Sequence, residues 1–192
     1  MSLNRDTMNR EQALAFLHQH QPMPSDVDVS QDEYEALLRE YNEVLQYFFD
    51  KDPCEESIHL FLNSFGNEDG YGIYDVVCCY IYRFNTKQVA EPLLEALKSP
   101  YFGVRYWATI ISGYFVNSDH RIVTNLLDLL DDSESQVRDY AISTLANYEQ
   151  IDGYSKIIID KYQREQSEDV KETYRTDLIP KLLQPKNMKD KT

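Results

Sequence analysis

Apolar residues along this chain fall at helical spacing over most of its length. Val104, Trp107, Ala108, Ile111, Ser112 and Phe115 recur at offsets of 3, 4, 7, 8 and 11, which puts them on one helix face. Val137, Tyr140, Ala141, Thr144, Leu145 and Tyr148 repeat that face further along. Shorter apolar-rich helices are predicted ahead of these, over 92–97, 122–130 and 154–164. Ser133 with Gln136 three residues later is a capping-box signature, and Pro100 sits in the corresponding turn upstream. Asp52-Pro53 reads as an N-cap followed by proline at the first helical position, opening a helix that runs to residue 65. Nearer the start, 10–20 reads as a helix stopped before Pro22 and Pro24, and 21–29 as a loop. Ser30 with Glu33 then opens a longer helix over 31–49. Its apolar face carries Tyr34, Leu37, Leu38, Tyr41, Val44, Leu45 and Phe48.

The two best helix faces belong to an internal repeat of 33 residues. Leu93, Leu94 and Leu97 fall on Leu126, Leu127 and Leu130 without a gap. Val104, Arg105 and Ala108 fall on Val137, Arg138 and Ala141; Trp107 falls on Tyr140 and Phe115 on Tyr148. A further step reaches Val170-Lys171 and Leu178. A backward step puts Leu60-Phe61 under Leu93-Leu94. The helix that follows then needs a shift of about two residues, with Ile73 under Val104 and Val77 under Ala108. A longer Asn67-Glu68-Asp69-Gly70 loop accounts for the shift.

Residues 92–148 resemble the HEAT-repeat family in its short bacterial, HEAT-like form. The features that carry the resemblance are Leu-Leu-x-x-Leu at 93–97 and 126–130, with Val-Arg-x-x-Ala at 104–108 and 137–141. The match is partial over 53–183 and absent from 1–52. Pro180 inside the last helix, Gly72 in place of an Arg and Tyr174 in place of Ala depart from the pattern. The resemblance implies an all-α fold: a short curved α-solenoid of about four helix pairs with a two-helix N-terminal cap. The expected organisation is a single domain over 1–192, with the cap at 1–52, repeats at 53–183 and a polar tail at 184–192.

Charge narrows the function. The net charge is −14, from 33 acidic and 19 basic residues, which argues against broad nucleic-acid binding by phosphate neutralisation. Residues 1–60 are the acidic end, with 13 acidic and 4 basic residues. That surface reads either as a solubilising cap or as a dock for a basic partner. No run of 18 apolar residues suggests a membrane span, and the first ten residues lack a signal-peptide core. Three cysteines, Cys54, Cys78 and Cys79, lack zinc-ligand spacing and point to a reducing, cytoplasmic compartment.

Catalytic constellations are missing from the sequence. None of His18, His20, His59 and His120 precedes a Glu, so the di-iron site of HEAT-like hydroxylases is not expected, and neither is any other metal or cofactor. No phosphate-binding glycine loop, nucleophile elbow or zinc-protease motif occurs. Tyrosine is the outlier at 15 residues; Tyr41, Tyr140 and Tyr148 are assigned to core positions, and any exposed ones to interface anchors. Arg105 and Arg138 are expected to pair with an acidic group of the turn, as Asp131 or Asp132 could. The positions two past each core Val, shifted in the first unit, are Asp75, Tyr106, Asp139 and Glu172. The resemblance implies that second helices line the concave side, so stacked repeats are expected to place these residues in one concave column. Tyr74, Tyr82, Tyr114 and Asn147 are the exposed candidates nearby.

These observations together support a non-catalytic module that binds a basic protein partner. Some small bacterial HEAT-repeat proteins neutralise polymorphic toxins, so the resemblance implies an immunity protein as one concrete form. It also leaves open a HEAT-like lyase or lyase subunit using the concave groove, and a generic scaffold or regulator.

Overall fold

The computed structural model describes residues 8–183; the polar tail expected at 184–192 lies outside the described residues. The fold is all-helical, with no strand among the described residues. The helices form two compact units, one ending at Ile111 and one beginning at Ser112.

The first unit contains α1 (Arg10–Gln19), α2 (Gln31–Asp50), α3 (Glu55–Asn63), α4 (Ile73–Ile81) and α5 (Thr86–Ala96). It also holds most of α6 (Phe102–Phe115), inside which the division falls. Helix α1 packs on α2 and α3, α2 on α4, and α3 on α5. Helix starts are set by side-chain caps. Asn9 with Gln12 and Asn85 with Gln88 form complete capping boxes that open α1 and α5. The Asn85 box starts α5 well before residue 92, so Pro92 lies inside the helix. Ser30 accepts from the Glu33 N–H, as the sequence suggests. The Asp52 cap is corrected: Cys54 is the N-cap, without a side-chain bond, and α3 ends at Asn63. The Asp52 carboxylate instead pairs with Arg10 at 3.2 Å.

Aromatic side chains fill the core of this unit. Trp107 is 6% exposed and lies stacked on Phe65, with centroids 5.5 Å apart and planes at 17°. Its edge meets the Tyr74 ring at 5.6 Å. Burying a phenol leaves its hydroxyl needing a partner. Tyr41 Oη lies 2.6 Å from Ser64 Oγ, Tyr80 Oη lies 2.6 Å from Ser57 Oγ, and Tyr74 Oη accepts the Gly66 N–H at 3.0 Å. Gly66 and Gly103 let two backbones touch: a Cβ on Gly103 would lie 1.9 Å from the Gly66 carbonyl oxygen.

The second unit holds the end of α6, then α7 (His120–Asp128), α8 (Ser135–Leu145), α9 (Ser155–Arg164), α10 (Glu168–Thr173) and α11 (Ile179–Leu183). Helix α8 packs against α7, α10 and the π-helical turn Tyr174–Leu178. That turn precedes Pro180, which has no N–H to offer the carbonyl four residues back, so the regular ladder is interrupted there. The expected Ser133 cap does not form. Glu134 is the N-cap of α8 without a side-chain bond, because the Asp132 carboxylate takes the Glu134 N–H at 2.9 Å. Ile122, Leu126, Val137, Ala141, Leu145, Ile158 and Leu178 make an aliphatic core.

The two arginines that the repeat aligns have a shared local geometry. Arg105 Nη1 donates to the Ser99 carbonyl at 2.9 Å, and Arg138 Nη1 to the Asp132 carbonyl at 2.8 Å. Each thus closes the turn six residues before it, satisfying a carbonyl left open there. Asp132 of the turn adds a weaker attraction to Arg138, but the carboxylate that Arg138 hydrogen-bonds lies outside the turn. It is Glu165, held by Nε at 2.7 Å and Nη2 at 2.9 Å, while Asp131 pairs with Lys161.

Candidate protein-binding surfaces

In the first unit, Asp75 is exposed on the first turn of α4. Tyr74, expected at the surface, is fully buried. The correction is one of helix phase. Tyr74, Val77, Cys78 and Ile81 form the buried stripe of α4, while Ile73 is only half-buried. This stripe matches Val104, Trp107, Ala108 and Ile111, so the loop shifts the first unit by three residues rather than two. Asp75, Cys79 and the half-buried Tyr82 share the opposite face at spacings of 4 and 3. Burial foremost, then the Cys78 and Cys79 thiols and the Asp75 carboxylate, push the Tyr82 phenol above its ordinary range. Burial and Asp75 likewise push the Cys78 thiol up to about 12, which removes it as a nucleophile near neutral pH. Tyr106 is half-buried, tilted against Phe102 at 5.7 Å and edge-on to Trp107 at 5.6 Å.

In the second unit, Tyr114 is exposed on the last turn of α6. Along α8, Asp139, Tyr140, Ser143 and then Asn147 lie on the side away from the aliphatic core. Tyr140, assigned to the core from its alignment with Trp107, is 40% exposed. The buried side of α8 takes in Ile142 and Thr144 as well as Val137, Ala141 and Leu145, and that rotates Tyr140 to the edge. Tyr148 is half-buried beside Tyr154.

This α8 face is tied to its neighbours by polar contacts. Ser143 Oγ donates to Asp177 Oδ2 at 2.9 Å, joining α8 to the π turn. Asn117 clamps the far end, giving Nδ2–H to the Asn147 carbonyl at 3.0 Å and taking the Glu149 N–H at 2.9 Å. Glu172, exposed on α10, pairs with Arg175 at 2.6 Å. Asp139 is the anomaly: its Oδ1 is buried and accepts no hydrogen bond from the described residues.

Two cavities add further residues to those that the sequence pattern singled out. One, of about 360 Å³, is bounded by Asp131, Asp132, Arg138, Lys161, Arg164 and Glu165, an ion-paired network. Burial by itself would raise the Glu165 carboxyl. Hydrogen bonds from Arg138 and from the Ser167 and Gln166 N–H groups outweigh it and hold that carboxyl below its ordinary value. The other cavity, of about 420 Å³, lies in the first unit between α2 and a glycine-flanked turn that carries Tyr71. Gly70, Tyr71 and Gly72 take φ of 60°, 49° and 82°, three left-handed residues in a row. For tyrosine that conformation costs about 1–2 kcal/mol. The visible signal was an aromatic residue between two glycines, directly after the loop already noted for its length.

Compared with family models, curated proteins and solved structures, the chain matches none. No group of three or more His, Cys, Asp or Glu among the described residues could hold a metal ion. None of the described helices is long and apolar enough to cross a membrane.

Proposed function

We propose that this chain is a non-catalytic, HEAT-like protein-binding module, a short α-solenoid that takes a basic protein partner. An immunity protein holding a basic toxin in check is the concrete form. The shared turn closure by Arg105 and Arg138 supports the repeat, since residues aligned 33 apart do the same local work. The acidic balance of the chain supports the sign of the partner's charge.

The observation that carries the binding surface is Asp139. A buried carboxylate oxygen without a donor is destabilising, and turning the carboxylate outward to meet a partner's donor would relieve that cost. Asp139 sits beside Tyr140 and near the end of a polar helix face, where an aromatic anchor and an unsatisfied acceptor suit a cationic contact. The sequence-derived residues Asp139, Glu172 and Asn147 belong to this surface, with Tyr114 contributed by α6. Asp75, Tyr82 and Tyr106 belong to the first unit and are proposed as a separate contact surface of that unit. No catalytic residue is proposed.

The test begins with affinity purification from the native cell and mass spectrometry to obtain the partner. Association kinetics are then measured for Asp139→Lys with Glu172→Lys, and for Glu33→Lys with Glu40→Lys. The first pair is expected to slow association and flatten its salt dependence. If only the second pair weakens binding while both variants stay folded, the α8 face is not the interface and the acidic surface of α2 is.

A further inference from the structure

The Tyr71 cavity is built differently from the α8 face. Its floor is apolar, from Leu38 on α2 and Ile73 at the start of α4, and its rim is polar, from Glu35, Arg39 and Asn42. Tyr71 stands at its edge and is 64% exposed. Three contacts hold the ring there. The Asp69 carboxylate accepts the Tyr71 N–H at 2.9 Å, Gln31 Nε2 donates to Tyr71 Oη at 3.2 Å, and Gly70 lies against the Tyr74 ring so closely that a Cβ would come within 3.1 Å. A bulky residue held left-handed, between two glycines, so that its ring faces solvent contributes little to the core. Strain of this kind persists where the surroundings over-determine it, and it gathers at binding sites.

The charge around the ring selects the occupant. The Tyr34 ring lies 6.0 Å from Tyr71, and its phenol is pushed up to about 12 by burial and then by Glu68, Asp26, Tyr71 and Asp69. Three carboxylates thus bear on Tyr34, one of them, Asp69, also accepts the Tyr71 N–H, and Glu35 lines the cavity itself. Arg39, the cation of the lining, reaches Glu35 only at 3.9 Å, with most of its side chain in solvent.

We propose that the Tyr71 cavity is a socket for an arginine side chain of the partner, a reading that rests on the partner being basic. The guanidinium would stack on the Tyr71 face with Glu35 as counter-charge, and its methylene stem would lie along Leu38 and Ile73. Lysine has the charge without the planar face and is the weaker ligand.

The test is a ¹⁵N NMR titration of the full chain with the blocked tripeptide acetyl-Gly-Arg-Gly-amide and with its Lys, citrulline and Leu counterparts. The Arg peptide is expected to give saturable shifts at Tyr71, Leu38 and Asn42, with the Lys peptide roughly two- to fivefold weaker for loss of stacking. Citrulline, which keeps the shape and loses the charge, should bind weaker still. Tyr71→Asn keeps a residue tolerant of the left-handed conformation and should abolish the shifts. Arg39→Ala should tighten Arg-peptide binding roughly twofold to fivefold by removing a like charge. Equal binding of the citrulline or Leu peptide, unchanged binding in folded Tyr71→Asn, or no saturable shift at Tyr71 would each overturn the socket. Saturable shifts confined to Asp139, Tyr140 and Glu172 would also overturn it, yet would leave the proposed basic-partner module standing.

Discussion

The two units contain the same kind of helix pair and hold it together by different physics. In the first, large rings interlock: Tyr41, Phe48, Phe61, Phe65, Tyr74, Tyr80 and Trp107 are all buried, and the phenols of Tyr41, Tyr74 and Tyr80 each find a hydroxyl or an amide. In the second, the core is mostly aliphatic, with Phe115 and Tyr174 as its buried rings, and the turns are tied by ion pairs. Arg138 and Glu165, with side chains only 15% and 5% exposed, form a two-point charge-assisted bond. The 33-residue spacing therefore aligns buried positions such as Val104 with Val137 and Ala108 with Ala141, and it leaves the choice of bonding open.

Breaking the aromatic side should have the largest effect. Trp107→Ala removes the ring that Phe65 and Tyr74 pack against and should cost about 3–5 kcal/mol in urea unfolding. The native Trp emission should be blue-shifted and resistant to quenchers; a red-shifted, quenchable emission would contradict the burial. On the charged side, Arg138→Ala leaves Glu165 in place without its cation and should cost about 3 kcal/mol. Replacing the pair together, Arg138→Met with Glu165→Gln, which keeps an acceptor for the Gln166 and Ser167 N–H groups, should recover most of that loss in the same measurement. A double variant no better than Arg138→Ala would assign the arginine's contribution to its turn carbonyls instead. The smallest effect is expected of Asn117→Ala. It removes two exposed hydrogen bonds to the chain after α8 and should cost about 1 kcal/mol, with faster amide exchange at Glu149 as the local sign.

Periodicity was sufficient for the parts of the fold that are local. Val104, Val137 and Val170 are buried as aligned, and so are Ala108, Ala141, Leu145 and Leu178, because each sits on a helix face set by its own neighbours in sequence. Tyr74 and Tyr140 were misplaced because a loop of unusual length and a rotated helix face change phase by a residue or so. On a helix that is enough to turn a side chain from solvent to core. Glu165 was missed as the partner of Arg138 because 27 residues separate them and only packing brings them together. The candidate site was the least legible. Asp139 could be placed on an outward face, but its enclosed oxygen is a property of the tertiary structure. The left-handed Tyr71 turn could not be read from side-chain spacing at all.

The pH dependence of the two units tests their difference most directly. Buried phenols with raised pKa values stabilise the first unit fully below about 10, the ordinary phenol value. That contribution is lost as pH rises toward the folded values, about 12 for Tyr34. Carboxyls held low stabilise the second unit above their ordinary values, 4.5 for Glu165 and 3.8 for Asp119. That contribution is lost as pH falls through the depressed ones. Methyl NMR reads both units at either extreme, through Val77 and Leu93 in the first and Val137, Ile158 and Leu178 in the second. Acid should displace the methyls of the second unit from their native positions first, and alkali those of the first, where the raised phenols of Tyr34, Tyr41, Tyr74, Tyr80 and Tyr82 outnumber the single raised phenol of Tyr174 in the second. Loss of both sets together at both extremes, or in the opposite order, would contradict the account.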